Sequence, residues 1–290
     1  MRKLRRLLPY MAAVYFASAA ERQVDPTFLH RRVDQLAESH NAVSTSTCRY
    51  YPIFGEGASN ASILASIARF ARIDIDPNGG CASTAPARED QVYVVLSGNG
   101  EAAYGKEIVP LRKEDYIYMP AGVPRALKNP SRTPLQVLVM GFRTGGNSEP
   151  APPHPLKANI EDVPTQLVSG HPSSTLYRLL MGDRESKRDR IAAGDVLTSL
   201  FLMEIAPGGT NFPHHHEREE EIYLVLDGHG DMVAGGGMDG IEGRHPARAG
   251  DVYFFRLNCT VGYYSAPQTR SRILAVRSWY PGMAVPNAEH

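Results

Sequence analysis

The chain has 290 residues, enough for two domains of ordinary size. Its 31 basic residues balance 31 acidic ones with no polybasic tract, which makes nucleic acid a poor partner. The 26 glycines and 22 prolines fit short strands joined by many turns.

The chain begins MRKLRR, a basic stretch without an acid, followed by a short apolar run from Leu7 to Phe16 that Pro9 and Tyr15 interrupt. Ala17-Ser18-Ala19 then offers an A-x-A cleavage site. Residues 1–19 therefore predict an export signal and a periplasmic or extracellular protein. An amphipathic helix on a cytoplasmic protein is the other reading. The run is too short to span a bilayer. Residues 20–45 predict a helical extension, with Asp25 as cap, Pro26 at the first position, and Phe28, Leu29, Val33 and Leu36 at helical spacing. Of three cysteines, Cys48 and Cys81 can pair if the chain is exported.

An internal repeat follows. Phe70 to Gly80 parallels Leu200 to Thr210, and Val92 to Gly100 parallels Ile222 to Gly230, both at an offset of 130. Asp115 to Tyr118 parallels Asp251 to Phe254 at a slightly larger offset, the difference being taken up by a Gly-rich hairpin tip, Ala234 to Gly243. The units are 46–144 and 173–290, joined by a Pro-rich linker over 145–172.

The chemistry-bearing stretch lies in the second unit, GGTNFPHHHEREEEIYLVLDG from Gly208 to Gly228. His214 and His216 are two residues apart, which on a strand puts both imidazoles on one face. Glu217 to Glu220 reads as a turn, and Glu221 opens the apolar strand Ile222 to Leu226. A hairpin of this form returns the Glu221 carboxylate to the imidazoles, a donor set suited to a divalent transition metal.

These residues resemble the first motif of the cupin family: Gly, five residues, His-x-His, three or four residues, Glu, six residues, Gly. Gly208, His214, His216, Glu221 and Gly228 fill it, the last spacing selecting Glu221 over Glu220. In the second motif Gly250 and Asp251 match, Arg256 and Asn258 replace the Pro and Gly of the turn, and Val261 stands where the family has its last His ligand. Cys259 falls in the turn and is not read as a ligand. The resemblance implies an all-β fold of two tandem jelly-roll barrels. It also implies a metal, Fe or Mn first with Zn or Ni as alternatives, on His214, His216 and Glu221. Three ligands leave positions open for substrate, water or oxygen. In the first barrel the ligand positions hold Thr84, Pro86, Gln91 and Arg125, which implies a structural role. Arg125 beside Gln91 could take an anion, or could be a surface or rim arginine.

Strand parity extends the reading. With Glu221 pointing in, Tyr223 and Val225 do too, as do Val261 and Tyr263 on the neighbouring strand and Phe201, Met203 and Ile205 on a third. The pocket is predicted from Met203, Ile205, Tyr223, Val225, Val261 and Tyr263, apolar and aromatic with a metal at one end. Outward-facing Ile222, Leu224 and Leu226, with Val92, Val94 and Leu96 in the first unit, should pair barrel with barrel, or subunit with subunit in a homodimer, or pack under covering segments. His154, His171, His229 and His245 read as surface residues. No nucleophile elbow, phosphate loop or dinucleotide fingerprint is present.

Two functions remain. One is a metal-dependent enzyme acting on a small organic molecule, dioxygenase-like in the leading reading. An isomerase or hydrolase would need a base, for which Tyr223, Tyr263 and Glu220 are weak candidates. The other is an exported, non-catalytic binder of a small molecule or sugar.

Overall fold

The computed structural model describes residues 26–145, 150–236 and 242–282. The export signal, the Asp25 cap, residues 146–149 of the linker and the tip of the Gly-rich hairpin lie outside them. Strands dominate, in four sheets, and the helical content among the described residues is two short 3-10 turns, Ala61–Ile63 and Ile160–Asp162.

Each barrel closes a large sheet over a small one. In the first, a six-stranded sheet faces a three-stranded one around Tyr50, Ile73, Tyr93, Ile117, Val137 and their neighbours. In the second, a seven-stranded sheet faces a four-stranded one around Met203, Tyr223, Tyr253, Tyr263 and Ile273. At the end of the strand Glu219–Asp227, Gly228 sits at φ 87°, and a Cβ there would lie 2.4 Å from the Arg270 carbonyl oxygen. Gly98 repeats this in the first barrel, with φ 82° and a 2.4 Å approach to the Pro134 carbonyl. The turn that closes the motif therefore excludes every side chain.

The outer faces of the two large sheets pack on each other. Val92, Val94, Leu138 and Met140 of the first barrel share one core with Ile222, Leu224, Leu274 and Val276 of the second. The apolar rows legible in the sequence thus pair barrel with barrel. Each fully buried side chain of this size contributes roughly 1.5–3 kcal/mol, so the joint outweighs any single polar contact across it. On the same outward face as Ile222, Glu220 is fully buried. Its carboxylate accepts from the Ala65 amide at 2.7 Å, the Ser66 amide at 2.8 Å and the Ser66 hydroxyl at 2.7 Å. Glu220 is a pin between the barrels and not a base in the pocket.

The helix predicted for 20–45 is not formed over its described part. Phe28–Arg32 is a β-strand, paired antiparallel with Asp251–Phe255 of the second barrel. Leu29 turns into the inter-barrel core, while Phe28 and His30 stack on Tyr253 at 6.4 and 4.4 Å. The strand Asp251–Phe255 would otherwise be a bare sheet edge, and satisfying its backbone outweighs a weak helical pattern. The mirror image occurs at the linker. Leu156–Asn159 pairs with Asp115–Met119, the equivalent edge of the first barrel. Each barrel is thus finished by the segment that leads into the other.

Cys48 and Cys81 form a disulfide in the first barrel, with Cα atoms 5.1 Å apart. Cys259 is buried and outside any disulfide, in the turn after Asp251–Phe255.

Candidate metal centre

His214 lies on the two-residue strand His214–His215, opposite Val261 of Thr260–Ser265. Glu221 lies on Glu219–Asp227, opposite Phe255 on one side and Arg277 on the other. The chain between them turns over Glu217 and Arg218 and brings the three side chains together, with one ligand atom from each of His214, His216 and Glu221 within 4.8 Å of the others. The His216 Nε2 atom is 3.3 Å from a Glu221 carboxylate oxygen.

The surroundings fix which nitrogens face inward. His214 Nδ1 is 2.8 Å from the Phe212 carbonyl, so it carries the proton and leaves Nε2 free. Glu219 stands 3.5 Å from His216 Nδ1 and accepts from Arg277 Nη1 at 3.3 Å and from the Thr198 hydroxyl. Glu221 is 1% exposed. Burial pushes its carboxyl up, but the His216 imidazole, Arg277 and His214 together hold it below the ordinary range. Burial likewise pulls His216 down, and the Glu221 charge outweighs it and leaves the imidazole raised.

The donor set fits a cation on an independent observation. His216 Nε2 and both Glu221 carboxylate oxygens are buried without a hydrogen-bond partner. A buried carboxylate whose nearest partner is one imidazole at 3.3 Å, outside hydrogen-bond geometry, is costly, and a metal ion would satisfy all three atoms at once. The alignment of the second motif also has a geometric check. In the first barrel Thr84 bridges Arg125, just as His214 pairs with Val261 in the second. Val261 therefore occupies the position beside His214 that the family's fourth ligand would take.

A cavity of about 70 Å³ adjoins the three residues. Met203, Tyr223 and Phe201 line it. Ile205, Val225, Val261 and Tyr263, also expected there, face inward but pack as barrel filling outside the lining. The Tyr223 hydroxyl accepts from the Asn211 amide at 3.0 Å and the Tyr263 hydroxyl meets Ser271 at 3.0 Å. Burial raises both phenols, which removes them as bases.

Several lining residues escaped the sequence reading. His171, taken for a surface residue, reaches the cavity from the segment before the barrel. Its ring lies 5.1 Å from Tyr177 and 5.7 Å from His214, and burial with the nearby His214 charge lowers its pKa. Tyr177, Leu179, Arg188, Ser199 and Arg277 also line it. Arg277 could have been found, since it is a charged residue inside the apolar run Ile273 to Trp279 and falls on Gly141 in the first copy. Of the other histidines, His154 and His229 are exposed as expected, whereas His245 lies in the strand Glu242–Arg248, half-buried against Phe28 at 5.0 Å.

The corresponding interior of the first barrel is closed by its own polar groups. Arg69 donates twice to Glu89, at 2.6 and 2.9 Å, Gln91 donates to Glu89 at 2.8 Å, and Tyr93 donates to Gln91 at 2.8 Å. Arg125 is neither a rim arginine nor an open anion site. It is 1% exposed and gives its protons to the carbonyls of Met119, Pro120 and Val123.

No curated protein sequence matches the chain. Solved structures similar to it include protein Ylba from E. coli, at 16% identity and TM-score 0.67 over 92% of this chain and 97% of that one. Oxalate decarboxylase from Lactobacillus farciminis, in a formate complex, matches at 12% identity and TM-score 0.66 over 89% and 87%. Vicilin from hazelnut, Corylus avellana, matches at 13% identity and TM-score 0.59 over 89% and 87%. At these identities the likeness shows the fold. The model of the cupin domain family matches twice, over residues 71–141 and 201–276. With two such domains, each a curled pair of sheets, this chain belongs to the cupin family.

Proposed function

We propose that the second barrel is a metal-dependent catalytic centre for a small organic molecule, and that the first barrel is structural. The observation that carries this reading is the convergence of unpaired polar atoms. Of the twelve buried side-chain nitrogen and oxygen atoms without a partner among the described residues, seven belong to residues lining this one cavity. Atoms of this kind need water, an ion or a ligand in the cavity to meet them, and their gathering at one cavity marks it as a binding site. His214, His216 and Glu221 would hold the ion, Fe or Mn by choice of donors and Zn or Ni as alternatives. Bound there it supplies Lewis acidity and, for a redox metal, electron transfer. The chain's own residues do the rest. Phe201, Met203 and Tyr223 exclude water, Glu219 aligns His216, and Val261 puts a hydrocarbon where a fourth ligand would close the site.

The favoured reaction class is a dioxygenase-like oxidation, because three ligands and an apolar wall leave room beside the ion for oxygen and substrate. The size of the cavity bears on the competing reading. One water needs roughly 10–15 Å³ on this measure, so about 70 Å³ suits a compact molecule. The Cys48–Cys81 disulfide supports the exported location.

Elemental analysis of protein purified without added metal tests the centre. One metal per chain is expected, falling to near zero in His214→Ala. An oxygen electrode then tests the reaction class, with uptake in the presence of small organic acids expected from the loaded protein only. Metal well below one per chain in the wild type would support the non-catalytic binder instead.

A further inference from the structure

Three of the seven unpaired atoms, His216 Nε2 and the two Glu221 oxygens, would be answered by the metal proposed above. Four are not: Arg277 Nε, the Ser199 and Tyr177 hydroxyls, and His171 Nδ1. Their positions follow from the sheet. Ser199, Arg277 and Glu221 are direct neighbours across three adjacent strands, so their side chains stand in one row on the inner face. The next row down runs Phe201, Ala275, Tyr223, and the methyl of Ala275 is all that fills its centre. The Arg277 guanidinium carbon lies 5.6 Å from the Phe201 ring, and Tyr177 lies 5.8 Å from the same ring.

Arg277 is committed on one side only. Nη1 donates to Glu219 at 3.3 Å, which steadies the guanidinium, while Nε is buried with no acceptor. A guanidinium half-engaged in this way suits a planar anion, which it can meet with a strong charge-assisted bond. Arg188, at the same cavity, is 51% exposed and pairs with Asp189 at 3.6 Å, which leaves Arg277 as the buried cation facing the cavity.

We propose that the second barrel selects small carboxylates, with Arg277 as the residue that receives the carboxylate and Ser199 and Tyr177 as the hydroxyls completing its hydrogen bonds. This rests on the cavity being the substrate site, as proposed above, but not on the metal. The first barrel lacks the device: Gly141 stands in place of Arg277, and Arg69, in place of Ser199, is consumed by Glu89.

The test is binding of acetate and of its neutral counterpart acetamide to the full chain at pH 7, measured by relaxation of the ligand methyl signal. In the wild type acetate should bind roughly tenfold more tightly, the scale of one charge-assisted hydrogen bond. Arg277→Met should remove that preference and leave acetamide unchanged, while Arg277→Lys should keep part of it. His214→Ala, freed of metal, should still prefer acetate, and the double variant should not. Equal binding of acetate and acetamide to the wild type, or a preference that survives Arg277→Met, overturns the proposal. Should Arg277→Met fail to fold, the wild type and Arg277→Lys decide it. Elemental analysis of the same samples separates the two readings. Metal at one per chain without a carboxylate preference sinks this inference alone, and a preference dependent on Arg277 in metal-free wild type sinks the metal centre alone.

Discussion

At the residue scale, two side chains that touch no reacting atom make sharp predictions. Glu219 aligns His216 and Arg277 together, so Glu219→Gln should weaken metal binding by roughly 10–100-fold, as losses of such supporting carboxylates do. Competition with a chelator measures it. Val261→His places an imidazole beside His214 and should raise metal affinity about tenfold or more, 1.4 kcal/mol, while lowering any activity that needs the open position. Unchanged affinity would mean that residue 261 does not face the ion. Protons compete with the metal for the imidazoles. Because Glu221 holds His216 above its usual value, binding should begin to weaken at a higher pH than for a free imidazole as the solution is acidified. A metal-affinity titration between pH 8 and pH 5 checks the sign. That His214, His216 and Glu221 come together was legible because the motif is local, inside one hairpin. His171 and Ser199 were not, because only the closed barrel brings the segment before it and the strand Leu197–Ile205 to the same cavity, and Arg277 showed only as a charge inside an apolar run.

At the element scale, the strand Glu219–Asp227 serves both faces. Its inward residues carry the site, and its outward residues carry the joint, with Glu220 at the hinge between the two roles. Glu220→Ala would strand the buried Ser66 amide and the half-buried Ala65 amide, and leave the Ser66 hydroxyl to Ser278 alone. The cost should be about 2–4 kcal/mol by the usual scale for such orphaned groups, read as a shift of the denaturant midpoint without metal loss. A midpoint within error of the wild type would remove Glu220 as the pin. The strand Phe28–Arg32 shows what local pattern cannot say. Its residues fit either a helix or a strand at five positions, and the choice is made by an edge more than 200 residues away, where His30 Nε2 meets Asp251 at 3.0 Å across a separation of 221. Strand type elsewhere was legible because Gly98 and Gly228, and the alternation after each start, repeat in both copies.

At the scale of the whole molecule, one apolar joint and two exchanged strands make the barrels a single cooperative body. Thermal unfolding should therefore be one transition, and two resolved transitions would mean that the barrels are independent. Reduction of Cys48–Cys81, which closes a loop of 33 residues, should destabilise the fold by about 3–4 kcal/mol on loop-entropy grounds. In calorimetry that loss should move the entire transition, although the disulfide lies only in the first barrel. The two-barrel plan was legible as a repeat at constant offset. The way the barrels lean on each other was only half legible, since exposed apolar rows say that a face is covered but not by what.

The exchange of strands also sets a timetable for the nascent chain. The first strand among the described residues, Phe28–Arg32, has no partner until Asp251–Phe255 has been made. The first barrel, by contrast, can complete its own edge once Leu156–Asn159 has emerged. Folding during synthesis should thus close the first barrel before the second, with Phe28–Arg32 the last strand to dock, and until then a bare strand edge and an unplaced strand coexist, a state that invites aggregation.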